Sequence, residues 1–433
     1  MQICVKLTFI FETKSYLALA IALFIAYAVL FSWLLGKIPF VRKAGLPRPY
    51  LIALFLMKIA AGVAYGYIHF NAPGHVGLTD TWKFFYQGSE ETAKILQDPY
   101  MIIRDILPHE VHHGFGKLFS TDNSYWNDVK HELMVKLAAV LNIFSGSHYY
   151  VNVVLYSFLT MAGPVAMYRL LQQQIPGTTL RFLLACCIPT ALFWCSGFHK
   201  EGILFNALAL IWYIIQGRQE GRRLRFVHYA VLAVSILSIL LLRNNIMLPL
   251  APAILGYFIA KAFPEKQWWV YATVCLLGLI GFFLSPYLGA DLPAAVSNRQ
   301  QEFIALGGRT AVAVTPLEAN LPSFLQHLPS ALSIGFLRPF PLEAGVRYLP
   351  FSLEALAFLI LLVFTVWTAR RHQAPALVPA LLVFGILNWL MIGYTVPNIG
   401  AVIRYRSITS PFLFSALFIW LNAGSKITNN KIT

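Results

Sequence analysis

The chain has 433 residues, 58% of them hydrophobic and only 12% charged, with a formal net charge of +15 at pH 7. Soluble domains average about 25% charged residues, so this composition excludes a water-soluble globular protein and makes the bilayer the solvent for much of the chain. The five cysteines, Cys4, Cys186, Cys187, Cys195 and Cys275, form no C-x-x-C pair and read as small apolar residues rather than a disulfide or metal framework.

A spanning helix needs about 20 mostly apolar residues, and the chain offers about eleven such runs. In order they are 15–35, 51–70, 149–171, 180–195, 202–215, 226–242, 246–262, 268–285, 351–368, 374–395 and 407–422. The weakest are 180–195 and 202–215, which are short and separated by a charged turn. The first run has a long apolar stretch and no small-x-small site behind it, so it reads as an anchor rather than a signal peptide. The expectation is a single all-α membrane domain over 1–433, polytopic, with two long external loops that carry surface helices.

Basic residues set the orientation. One set of connections holds Lys37, Arg42, Lys43 and Arg48, then Arg169 and Arg181, then Arg218, Arg222, Arg223 and Arg225, then Lys261 and Lys266, then Arg370 and Arg371, and finally Lys426 and Lys431. The other short connections and the amino terminus hold only Lys6, Lys14, Lys200, Arg243, Arg404 and Arg406. The positive-inside rule places the richer set and the carboxyl terminus in the cytoplasm, with the amino terminus and the loops 71–148 and 286–350 outside. The expected location is the cytoplasmic (inner) membrane, with the working face external. The segment 136–146 is too short to cross and reads as a helix lying on the outer surface. Loop 71–148 contains half of the chain's 18 acids and a helical pattern from Trp82 to Leu96, so it reads as a small acidic cap with juxtamembrane helices.

Several polar clusters sit where a membrane makes them costly. The stretch Ser196–Gly202, "SGFHKEG", puts His199, Lys200 and Glu201 between two apolar runs, where they are expected to face an external cavity. Arg243, Asn244 and Asn245 interrupt another run, and Arg404 and Arg406 open the last helix; Arg338 and Arg347 lie in the second loop. Cations on the outer face run against the positive-inside rule, so either the acidic loop or a phosphate-bearing ligand must compensate them. Lys58, inside the second run, reads as snorkelling to the interface without a role. Asp80 precedes the aromatic stretch Trp82, Phe84, Phe85 and Tyr86. A carboxylate at the membrane surface beside rings that can stack on a sugar suits a general base for glycosyl transfer; it equally suits a helix cap, from Thr79 or Asp80.

Asp80 with its aromatic helix, the surface helix at 136–146, the late loop 286–350 and the outer-face cations resemble the GT-C superfamily of integral-membrane glycosyltransferases. The resemblance implies a polyprenyl-phosphate-linked sugar donor, a glycan, lipid or protein acceptor, and an essential Asp just after a helix, here Asp80. His199, Lys200, Glu201, Arg243, Asn244, Arg404 and Arg406 are then the expected substrate- and phosphate-binding residues. The family often has paired acids or acid-plus-Tyr at this point, whereas Thr81 follows Asp80 here, and an additional helix, 15–35, precedes the loop-bearing one. The "RYR" at 404–406 is also similar to membrane polysaccharide polymerases and O-antigen ligases, which imply a lipid-pyrophosphate-linked glycan. In either case Arg and Lys stabilise the departing phosphate while a carboxylate deprotonates the acceptor hydroxyl. A divalent cation is a candidate cofactor, with Asp105, Asp122 and Asp128 as candidate ligands.

Two other readings compete. His109-Glu110-Val111-His112-His113 satisfies H-E-x-x-H, the zinc-peptidase pattern, with Glu132 as a third ligand. Pro108 before it and Gly114 and Gly116 after it confine any helix to little more than one turn, which argues against a peptidase and leaves His109 and His113 as weaker metal candidates. A lipid-linked glycan transporter would also need outer-face cations but normally shows internal repeats, and the sequence shows none. The basic residues are scattered among membrane connections, which argues against a nucleic-acid partner.

Overall fold

The computed structural model describes residues 14–72, 77, 79–100, 102, 125–369 and 373–429. It is 79% helix, with no strand among the described residues, as the composition requires. Among the described residues, seven helical runs are long and apolar enough to cross a membrane: Leu17–Leu35, Arg48–Phe70, Tyr149–Leu171, Phe226–Ala260, Pro264–Leu288, Val346–Ala369 and Leu377–Thr395. Their outward faces carry large apolar side chains, such as Leu17, Ile25 and Val29 on the first, Leu276, Leu277 and Ile280 on the fifth, and Ile360, Val363 and Trp367 on the sixth. Such continuous apolar surface is stable against lipid and not against water.

The remaining expected spans take other forms. The run 180–195 is two short helices, Thr178–Cys186 and Pro189–Trp194, because Pro189 lacks an amide hydrogen and disfavours helical geometry at Ile188. The run 202–215 lies within Lys200–Gln219, whose polar residues leave it outside the seven. The runs 226–242 and 246–262 join as one 35-residue stretch, interrupted at Arg243, whose backbone (φ −161°, ψ 74°) leaves helical geometry before a 3-10 turn at Asn244–Ile246. The last run is a shorter apolar helix, Ser410–Ala423.

The chain divides into two compact units. The first comprises the described residues of Met1–Glu110, Asp128–Val165 and Leu192–Ile203. Its longer helices are α1 (Lys14–Leu35), α2 (Arg48–Phe70), α3 (Asp80–Gln97), α4 (Tyr125–Ser145) and α5 (Tyr149–Leu159). Helix α5 packs against α1 and α2, and α3 packs against α2. The helix expected at Trp82–Leu96 is α3, and the one expected at 136–146 is the end of the longer α4. These two are joined through polar contacts. Lys136 on α4 is buried and ion-paired to Glu91 on α3, and the Thr92 hydroxyl donates to the Ala139 carbonyl at 3.2 Å. Asn142 then bridges them to α5, donating to Ser89 Oγ at 3.1 Å and accepting from Asn152 at 2.6 Å.

The second unit comprises the described residues of Val111–Asn127, Ala166–Ala191 and Leu204–Thr433. Helix α6 (Ala162–Leu171) runs from the first unit into the second, and α7 (Thr178–Cys186) and α8 (Pro189–Trp194) follow. Next come α9 (Lys200–Gln219), which begins in the first unit, α10 (Phe226–Arg243), α11 (Met247–Ala260) and α12 (Gln267–Leu284). The segment 286–350 contains α13 (Leu292–Leu306) and α14 (Leu321–Leu332), started by side-chain caps from Asp291 and Asn320. The chain ends in α15 (Leu349–Ala369), α16 (Leu377–Thr395), α17 (Ile399–Arg406) and α18 (Ser410–Asn429). Helix α16 is the hub: α11, α13, α14 and α18 all pack against it.

Candidate functional site

The first unit is built around the turn Cys195–Glu201. Three elements hold its backbone. From α2, the Lys58 ammonium donates to the Cys195 carbonyl at 3.1 Å, and Gly62 lets the chain pass so close that a Cβ there would stand 2.6 Å from the Ser196 oxygen. From α3, the Thr81 hydroxyl donates to the Phe198 carbonyl at 2.8 Å and shares a 2.7 Å hydrogen bond with the Tyr149 hydroxyl of α5. Also from α5, the Tyr156 hydroxyl donates to the His199 carbonyl. Carbonyls in a non-helical turn lack helical partners, and these donors supply them.

The purpose of this framing is visible at His199. Its side chain is fully buried; Nδ1 meets the equally buried Glu201 carboxylate, and Nε2 lies 3.4 Å from Oδ2 of Asp80. Asp80 is the open end, with 54% of its side chain exposed. The three groups thus form a line from a buried carboxylate through an imidazole to an accessible carboxylate. A carboxylate thus stands at each ring nitrogen, and either nitrogen can donate to its neighbour when it carries the proton. Chemically, that is a relay able to accept a proton at Asp80 from a group outside. Thr79, not Asp80, is the N-cap residue, and its hydroxyl donates to the His69 carbonyl at 3.2 Å instead of capping α3. Asp80 occupies the first helical turn, where the helix dipole favours its negative charge.

Aromatic rings surround the turn. Phe84 and Tyr65 flank His199 with ring centroids 6.0 and 6.5 Å away, and His69 stacks on Tyr65 at 3.9 Å beside Phe193 and Trp194. Of the aromatic residues following Asp80, Trp82 and Phe85 are buried and Tyr86 is half-buried. Trp82 is committed to the fold: it donates to the Gly66 carbonyl at 3.0 Å and stacks on Tyr149 at 3.9 Å.

The second unit gathers the expected arginines. The guanidinium groups of Arg243 and Arg404 lie 4.0 and 5.1 Å from the centre of the Tyr405 ring, and Arg404 donates to the Tyr405 hydroxyl at 3.3 Å. Both are half-buried, as is Asn244 in the adjoining turn. Arg406 is different. It is buried against Trp389, its Nη1 donates to the Gly335 carbonyl at 3.1 Å, and Glu354 lies close enough to stabilise its charge. Glu354 is itself held by Thr190, through the backbone amide at 2.7 Å and the hydroxyl at 2.6 Å. Arg338 is compensated within its own loop by Glu343.

The sequence expectations sort accordingly. Asp80, His199 and Glu201 come together in the first unit, and Arg243, Asn244 and Arg404 in the second. His199 and Glu201 were expected to project into a cavity; both are enclosed, and only Asp80 is accessible. Lys200 opens α9, half-buried. Lys58 does not snorkel: it is 3% exposed and fixes the turn. Asp105, Asp122, His109 and His113 lie outside the described residues, as does the whole H-E-x-x-H motif, and the side chain of Asp128 is likewise outside them. Among the described residues no three His, Cys, Asp or Glu side chains converge to hold a metal ion. Sequence reasoning missed Lys58, Thr81, Tyr156, Thr190 and Glu354. The spacing of Gly62 and Gly66, one turn apart on α2, was the available signal for a face where backbones meet closely.

Protein-family models, curated proteins and solved structures were all compared with the chain, and none matches.

Proposed function

We propose that the protein is a membrane glycosyltransferase that moves a sugar from a polyprenyl-phosphate-linked donor to an acceptor hydroxyl on the external face. The observation that carries this reading is the line Glu201–His199–Asp80, which ends in an accessible carboxylate on a helix start. Asp80 takes the proton from the acceptor hydroxyl as the new glycosidic bond forms, and His199, held by Glu201, receives the charge change behind it. Within the second unit, Arg243 and Arg404 are the groups suited to holding a lipid-linked phosphate, while Arg406, buried and engaged, positions α17.

The topology that goes with it has about eleven crossings, with the amino terminus outside and the carboxyl terminus in the cytoplasm. The 35-residue run Phe226–Ala260 supports two crossings there, since as one helix it would extend about 52 Å against a hydrocarbon core of about 30 Å. A second reading, a polymerase or ligase using a lipid-pyrophosphate glycan, draws support from the two guanidinium groups on one tyrosine, a charge that matches a pyrophosphate.

The test is transfer from a labelled lipid-phosphate sugar by the purified protein and by Asp80→Asn. Loss of product in the variant is expected; equal transfer by both removes Asp80 from the chemistry. A labelled lipid-pyrophosphate donor, offered in parallel, separates the two readings.

A further inference from the structure

A second basic site lies in the same unit as Arg243, at the other end of α10. The 18 residues of that helix separate the two by about 27 Å. Here Arg169, at the end of α6, and Arg222, just past the end of α9, both place their guanidinium groups over the ring of Tyr213, at 4.6 and 4.5 Å from its centre. A small cleft of about 50 Å³ opens beside them, lined also by Gln172, Gln173, Gln216 and Glu220.

The local backbone is shaped to bring Arg222 there. Gly221 takes a left-handed conformation (φ +87°), and the Arg222 amide turns back to the Gly217 carbonyl at 2.8 Å, a helix-ending turn that reverses the chain. Gly217 then leaves the space that the guanidinium fills: a Cβ there would stand 2.6 Å from both its carbon and Nη1. That Nη1 is buried and has no hydrogen-bond partner among the described residues. Among them, the one carboxylate on the lining, Glu220, accepts from Gln216 Nε2 at 2.5 Å. Two cations are thus held against mutual repulsion on one ring, with a buried N–H directed at nothing of the protein's own. Helix C-termini attract cations, but a terminus alone does not require a glycine to seat one or leave a donor buried without an acceptor.

We propose that this cleft binds a phosphate group, the anion whose oxygens fit a planar guanidinium fork. Two sources share that chemistry: the phosphodiester of an anionic phospholipid and free inorganic phosphate. The basic connections around it belong to the set expected in the cytoplasm, where anionic lipid is concentrated.

Native mass spectrometry of the full chain in detergent, with added phosphatidylglycerol or phosphatidylcholine, tests the lipid. Thermal unfolding with added inorganic phosphate at fixed ionic strength tests the free anion. Wild type is expected to retain phosphatidylglycerol over phosphatidylcholine, and Arg222→Gln to retain about tenfold less or worse. Gly217→Ala, which keeps every charge, should weaken retention in the same direction by displacing the guanidinium. Arg218→Gln, an exposed cation one turn away, should behave as wild type. Stabilisation by phosphate that Arg222→Gln abolishes, without lipid preference, assigns the site to the free anion. Equal binding by wild type and both cleft variants in both assays overturns the proposal. So does an equal loss in Arg218→Gln, since that would mean diffuse charge rather than a site.

Discussion

Lys58 on α2 donates to the backbone carbonyl of Cys195, 137 residues further along the chain, at 3.1 Å and out of contact with solvent. A lysine inside an apolar helix is ordinarily a cost. Here it supplies a donor to a buried carbonyl of the turn that also carries His199, which offsets that cost.

Lys58→Met keeps the length and apolar stem but removes that donor. Loss of a donor to a buried carbonyl is expected to cost about 1–3 kcal/mol of stability. Thermal unfolding in detergent, compared with wild type, measures it, and an unchanged midpoint would show that the contact contributes nothing net.

Gly62→Ala challenges the same turn sterically. The new methyl would meet the Ser196 carbonyl oxygen, so α2 or the turn must shift, at an expected cost of about 1–3 kcal/mol. Because the shift moves His199 relative to Asp80, transfer activity should fall more than the midpoint does. Activity retained at wild-type level in a destabilised variant would separate the turn from the chemistry.

Glu201→Gln tests the positioning role behind His199. The amide removes the negative charge that holds the Nδ1 proton, without changing size, and activity is expected to fall roughly tenfold to 100-fold. The discriminating readout is the pH–rate profile, which should move in Glu201→Gln and stay in place for Lys58→Met.

The Glu91–Lys136 pair gives the first unit an acid limit. Burial raises the Glu91 carboxyl, but hydrogen bonding and attraction from Lys136, with help from Lys94, outweigh it and hold Glu91 below its ordinary value, about 4.5. A carboxylate depressed in the folded state contributes stability that is full above the unfolded value and fades as pH falls through the folded one. Acid unfolding should therefore set in below pH 4.5, and Glu91→Gln should flatten that limb while costing about 3 kcal/mol near neutrality by stranding buried Lys136. A pH series of melting temperatures for both proteins decides it.

Thr190→Val removes a hydroxyl from Glu354 while leaving the backbone amide in place. The carboxylate buried near Arg406 keeps the Thr190 amide and a hydrogen bond from Ser410, so the expected cost is about 1 kcal/mol, read as a lower midpoint.

Local pattern made much of this architecture legible. The helix Asp80–Gln97 was readable because its apolar and aromatic residues repeat with helical spacing, and the long runs such as Leu377–Thr395 because they are apolar throughout. The break in the run 180–195 was also written locally, in Pro189, but apolar content masked it. What composition could not reveal was partnership. His199 meets Asp80 across 119 residues, and Thr190 meets Glu354 across 164. No periodicity encodes such contacts, because the residues between them belong to other helices. For the same reason His199 and Glu201 looked like groups facing open space, when burial makes them the support for the one group that does.

The turn Cys195–Glu201 also sets a timetable for synthesis. Leu192–Ile203 belongs to the first unit, although the stretch just before it, Ala166–Ala191, belongs to the second. A ribosome adding about 5–20 residues per second needs about 6–24 s after Asp80 to deliver the histidine that faces it. Until then neither the Cys195 carbonyl that Lys58 bonds nor the imidazole that faces Asp80 exists. Fragments ending before residue 192 carry Asp80 without its relay, so splitting the gene there should yield two pieces that regain function only when co-expressed.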